Sequence, residues 1–164
     1  SVSAGELDGR FLVCDRIGEK DLFEPQAVGW IFKNDSAIHH GVGVNRDSGA
    51  VTTGENSTYG FRVIDGKAKY YKDGIVLGWP YKAYPASVWW WHGSASRFEG
   101  MRTTYELDRH TLRLQEVFHV NGKEYPKDWQ CESFETRAAH EDALEVKRAE
   151  LELKVKQFLD SRKI

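Results

Sequence analysis

Proline and cysteine are scarce in this chain of 164 residues, which holds four of the first and two of the second. With so little proline, set against six tryptophans, seven tyrosines and eight phenylalanines, the composition excludes a disordered chain. An excess of charge of one sign is also missing. Lysine and arginine number 23 and aspartate and glutamate 25, a net charge of −2, which rules out a globally basic nucleic-acid binder. Basic residues are scattered and do not line up beside the aromatics, so no single-strand platform is expected. No apolar run approaches the roughly 18–20 residues that a membrane-crossing helix needs. The catalytic and ligand motifs with fixed spacing are absent as well. There is no phosphate loop, no G-x-S-x-G, no H-E-x-x-H and no C-x-x-C, so no metal is expected and the cofactor stays open. These absences leave a soluble, aromatic-rich domain of a size that supports one core. Location is open: the chain starts Ser1-Val2-Ser3, which fits a cytoplasmic protein or a processed and exported one.

The two cysteines, Cys14 and Cys131, admit two readings. Both are small buried thiols in a reducing compartment, or they form a disulfide between the first and last strands of a closed sheet. The triplets Asn34-Asp35-Ser36 and Asn56-Ser57-Thr58 match the glycosylation pattern, which matters only in a secreted chain.

What is present is a long series of short β-type runs. Arg10–Ile17, Ala27–Lys33, Ser36–Val44, Tyr59–Ile64, Lys67–Tyr71, Ile75–Trp79, Ser87–His92, Phe98–Leu107, Leu112–Val120 and Lys123–Glu132 are punctuated by turn residues, as the strands of an antiparallel sheet are. Asn34-Asp35, Asp65-Gly66 and Asn121-Gly122 are hairpin signals, because two-residue turns need positive φ. Residues 46–58 read as a long loop. The expected fold is therefore mainly β: an up-and-down antiparallel barrel of roughly eight to ten strands over residues 1–132. From Phe134 to about Arg162 glycine and proline vanish, which predicts one long helix within 133–164, capped by Ser133. On its wheel, Leu144, Leu151, Val155 and Phe158 share one stripe, while Ala139, Val146, Ala149 and Leu153 share another nearly opposite. The first is expected to pack on the barrel. The second either meets solvent or offers Val146, Ala149 and Leu153 to a partner, a second copy or a larger assembly.

The strand Ser87–His92 holds three tryptophans in a row. Alternation sends Trp89 and Trp91 to one face and Trp90 and His92 to the other. One set enters the interior, and the other needs a cover, for which the helix, a partner or a ligand are candidates. Trp30, Trp89, Trp90, Trp91, His92 and His119 are thus the candidate ligand-binding residues. His39 and His40 are adjacent in a strand, so one of the two also faces inward. For acid–base chemistry the strand carboxylates are Glu99, Glu106 and Glu116. Glu116 interrupts the run Leu112, Leu114, Val117, His119, and a bulge is expected there.

Leu7-Asp8-Gly9-Arg10-Phe11-Leu12 resembles the opening of the calycins, the superfamily of lipocalins and fatty-acid-binding proteins, in which Gly-x-Trp starts the first barrel strand. Phe11 stands here in place of that Trp. The resemblance implies a closed barrel around an apolar cavity for a small hydrophobic molecule, and it transfers no ligand-binding residue. Three functions follow in order: a non-enzymatic binder of a small apolar or aromatic ligand, an interaction subunit docking through its helix and outward Trp residues, and a barrel enzyme using His and Glu.

Overall fold

The computed structural model describes residues 4–18, 21–44, 50–55, 59–64, 67–72, 79–94 and 101–164. Eleven strands precede one helix: β1 (Phe11–Arg16), β2 (Ala27–Lys33), β3 (Ser36–Val44), β4 (Val51–Glu55), β5 (Tyr59–Ile64), β6 (Lys67–Lys72), β7 (Trp79–Ala83), β8 (Ser87–Ser94), β9 (Met101–Asp108), β10 (Arg113–Val120), β11 (Lys123–Phe134) and α1 (Arg137–Asp160). Eight of them close an antiparallel barrel in the order β1, β2, β3, β7, β8, β9, β10, β11 and back to β1. Closure leaves these strands with few open edges, the main one being on β3 beyond its short pairing with β7.

The turns form where small polar residues accept the left-handed region. Asn34 and Asp35 (φ 52° and 59°) join β2 to β3, and Asn121 and Gly122 (φ 50° and 73°) join β10 to β11. Both pairs suit the twist of a hairpin. The expected turn at Asp65-Gly66 lies outside the described residues.

Three boundaries differ from the sequence reading. Residues 51–55, read as part of a loop, form β4 on the edge of β3, from His40↔Glu55 to Val44↔Val51. That edge is free because β3 meets β7 only at Ser36↔Pro80 and Ala37↔Trp79, and a β-branched stretch fits an open ladder. β7 begins at Trp79, where the expected strand ended. The helix begins at Arg137, with Thr136 as its cap: the Thr136 hydroxyl accepts the Ala139 N–H at 3.2 Å. Ser133 and Phe134 belong instead to β11, paired with Leu12 and Phe11.

α1 lies across the outer faces of β1 to β4 and β11. Leu144, Leu151 and Val155 are buried there against Val13, Val42 and Val44. Gly29 of β2 lets the helix come close, since a Cβ at that position would stand 2.8 Å from Cε1 of His140 and 3.0 Å from Cδ1 of Leu144. His140 is fully buried beside Phe11 and His40, with ring centroids 5.3 Å away in each case. Inside the barrel, Cys14 and Cys131 sit opposite one another in the β1–β11 register and are joined by a disulfide. Of the two cysteine readings, the bonded one is present. No helix is long and apolar enough to cross a membrane among the described residues.

Candidate ligand site inside the barrel

Alternation along each strand divides the barrel interior into two ends of different chemistry. At one end the inward residues are Leu12, Phe32, Val88, Leu107 and Leu114, all buried in one cluster. A single 3-10 turn, Ala4–Leu7, packs Leu7 against that cluster. The Tyr81 hydroxyl ties the turn down: it donates to Oδ1 of Asp8 at 2.8 Å and accepts the Leu7 N–H at 3.2 Å. Burial, then the bond to Asp8, pushes the Tyr81 hydroxyl above its ordinary pKa. Arg109 adds an outer clasp, donating to Glu6 and to the Tyr84 carbonyl at 2.7 Å. This end is closed.

The middle of the barrel is aromatic. Trp30 is the hub, with ring centroids of Trp90 at 5.1 Å, Trp79 and His39 at 5.2 Å, and Tyr105 at 4.8 Å. Tyr105 stacks on both Trp79 and Trp90, its plane 13° from each. The indole N–H groups of Trp30, Trp79 and Trp90 are buried and meet no hydrogen-bond acceptor among the described residues.

At the other end the inward residues turn polar. Glu116 stands opposite Tyr105 of β9 and Lys127 of β11. Burial raises the Glu116 carboxyl above its usual range, and Lys127, Arg16 and the Trp129 indole N–H offset part of that rise. Burial, followed by the Glu116 carboxylate, holds the Tyr105 hydroxyl well above its ordinary value. Arg16 pairs with Trp129 in the β1–β11 register, its guanidinium carbon 6.0 Å from the indole centroid, and it reaches Glu24 at 3.4 Å. On β3, Ala37 and His39 share a face with Gly41 and Gly43. Those glycines bring no side chain inward, and the His39 ring lies over Gly41, 2.8 Å from where a Cβ would stand. The mouth meets solvent, for Tyr125 shares the inner face with Phe118 and Glu116 yet is 48% exposed.

Of the residues singled out from the sequence, Trp30 and Trp90 lie in the interior and are almost fully buried. His92 joins them, its ring 4.6 Å from that of Trp79. Trp89 and Trp91 face outward, 40% and 49% exposed, and the helix, one of the three candidate covers, packs elsewhere, on β1 to β4 and β11. His119 is a correction: it faces outward, with Nε2 3.0 Å from the Thr104 hydroxyl and Nδ1 3.5 Å from Glu124. Val146 and Leu153 are exposed, and Ala149 lies in solvent beside them.

Glu116 is a second correction. The β9–β10 and β10–β11 registers run without interruption through it, so there is no bulge and the carboxyl points inward. The inner face of β10 is Leu114, Glu116 and Phe118, while Val117 and His119 look out. Glu106 pairs with Gln115 and Trp89 on the outer face, and Glu99 lies outside the described residues. Trp79, Tyr105, Trp129, Arg16 and Lys127 were not anticipated. The signal for Tyr105 and Lys127 is their register with Glu116, visible only once its direction is known.

No three His, Cys, Asp or Glu side chains converge to hold an ion among the described residues. Glu116 and His92 both belong to the inner face but stand on β10 and β8, with β9 between them. No family model, no curated protein and no solved structure matches the chain. What the fold defines is a closed antiparallel barrel with an aromatic interior and a C-terminal helix. Its likeness to a lipocalin is one of general shape.

Proposed function

We propose that the barrel takes up a small apolar or aromatic molecule through its polar end and performs no chemistry on it. The observation that supports this most is the asymmetry of the interior: one end is plugged by a tied-down turn, while the other has inward side chains in solvent. Ligand sites are typically concave, mostly apolar and lined by a few convergent polar groups. Here Trp79, Trp90 and Tyr105 supply flat apolar walls, and Glu116, Lys127 and Arg16 supply the polar rim.

Native mass spectrometry on unreduced protein, joined to titration with N-phenyl-1-naphthylamine read by tryptophan quenching, tests the reading. A ligand mass or saturable quenching that Trp90→Ala abolishes supports it. Bare protein with no quenching contradicts it. A second reading, an interaction subunit, draws on the exposed pair Trp89 and Trp91 and on Val146 and Leu153 of α1. It predicts that Val146→Glu with Leu153→Glu lowers the mass measured in solution. An unchanged mass removes it.

A further inference from the structure

Three indole N–H groups inside one barrel, all buried and all without an acceptor among the described residues, are unusual. Buried polar groups are nearly always hydrogen-bonded, because an orphaned donor has lost its water and gained nothing in return. Trp30 and Trp90 are each 1% exposed and Trp79 7%, so bulk water does not reach these donors. The three rings belong to one cluster, with Trp30 5.2 Å from Trp79 and 5.1 Å from Trp90. An indole nitrogen only donates, so no rearrangement among the three satisfies any of them. Nε of Arg16, at the polar end, is a further buried donor without an acceptor among the described residues. Against these donors, the inward carboxylate of Glu116 already faces Lys127 and Arg16. Among the described residues the interior has donors to spare.

We propose that the occupant of the barrel is a planar aromatic molecule bearing a carbonyl-type oxygen, which accepts hydrogen bonds from the inner indole N–H groups. This deepens the ligand-binding reading and rests on it. The flat walls of Trp79, Trp90 and Tyr105 select a planar frame by stacking. The donors select the oxygen, because a site with buried unpaired donors rejects an analogue that lacks the acceptor. Trp79 is the most exposed of the three and begins the β7 strand beside His92 and His39, so its N–H is the first an entering ligand meets.

Two ligands of one shape separate the possibilities: 2-acetylnaphthalene and 2-ethylnaphthalene, which differ by a carbonyl oxygen in place of two hydrogens. Both are titrated into the full chain and followed by calorimetry and tryptophan quenching. The expected result is that both bind and the ketone binds tighter, by about tenfold or more. In Trp79→Phe that ratio drops toward one, even though both affinities fall through lost packing. If Trp79→Phe does not fold, the benzothienyl analogue of tryptophan at position 79 replaces the N–H by sulfur at nearly constant shape, and the same ratio is read. Equal binding, or tighter binding of the hydrocarbon by the unmodified protein, overturns the inference and leaves the ligand-binding barrel standing. A ratio that survives both changes at position 79 overturns the assignment to this indole cluster. Failure of both naphthalenes to bind overturns the ligand-binding reading itself.

Discussion

The two ends of the barrel are built from the same eight strands and differ in nearly every other respect. At the closed end the inward residues are apolar and packed, and the Tyr81 hydroxyl has two partners. At the open end the inward positions carry Glu116, Lys127 and Arg16, a carboxyl is pushed up by burial, and glycines replace side chains on β3. On the proposed reading, the difference separates stability from recognition along the barrel axis. The plugged end makes the fold; the open end is free to hold groups that burial disfavours.

Four predictions break or sharpen that contrast, from the largest effect to the smallest. The Cys14–Cys131 bond closes a loop with a sequence separation of 117 and serves both ends. Its removal by Cys14→Ser with Cys131→Ser lowers unfolding stability by about 2–5 kcal/mol, measured by denaturant titration. The contrast is then tested directly on β10. Leu114→Ala at the closed end costs about 2–5 kcal/mol in the same titration, whereas Phe118→Ala at the open end costs less than about 1 kcal/mol. Equal losses would mean that the two ends are equally packed. Third, Tyr81→Phe leaves the Leu7 N–H without its acceptor and costs about 1–2 kcal/mol, with faster amide exchange confined to the Ala4–Leu7 turn. Uniformly faster exchange would show that the turn is no separate plug.

The smallest effect has the opposite sign. Because burial raises the Glu116 carboxyl, the native state holds its proton to higher pH than the unfolded chain does. Stability therefore falls as pH climbs from the ordinary carboxylate range through the raised folded value, and the cost is complete above it. Glu116→Gln removes that cost. The variant is expected to melt higher than the parent at pH 7, by roughly 2–4 °C, with the gap closing as pH drops below the ordinary carboxylate range. A lower melting point at pH 7 would make Glu116 a stabilising partner of Lys127 and Arg16.

Much of this architecture was legible in the chain. β2 and β3 run over the segments marked as β-type runs, and Asn34-Asp35 accepts the turn between them. The helix was evident from the loss of glycine and proline, but its start was not. Phe134 pairs with Phe11 across the sheet, a contact over a long separation that local propensity does not contain. β4 was hidden for the same reason, because its ladder depends on β3 leaving an edge that β7 does not fill.

The site was harder to read. Alternation placed Trp90 and His92 together but could not say which face was inward, so Trp89 and Trp91 had equal standing. Glu116 misled because an inward carboxylate is costly, and a bulge is the cheaper local solution. Lys127, Arg16 and Trp129, contributed by other strands, make the inward direction tolerable. His119 went astray with it, since the alternation of β10 turns on the direction of Glu116.

The central claim, that a ligand enters the open end and rests on the inner aromatic cluster, has a direct test in the six indole N–H resonances. In a nitrogen–proton correlation spectrum of the uniformly labelled protein, titration with 2-acetylnaphthalene should move the signals of Trp30, Trp79 and Trp90 and leave those of Trp89 and Trp91 in place. Shifts confined to Trp89 and Trp91, or no shifts at all, would contradict the account.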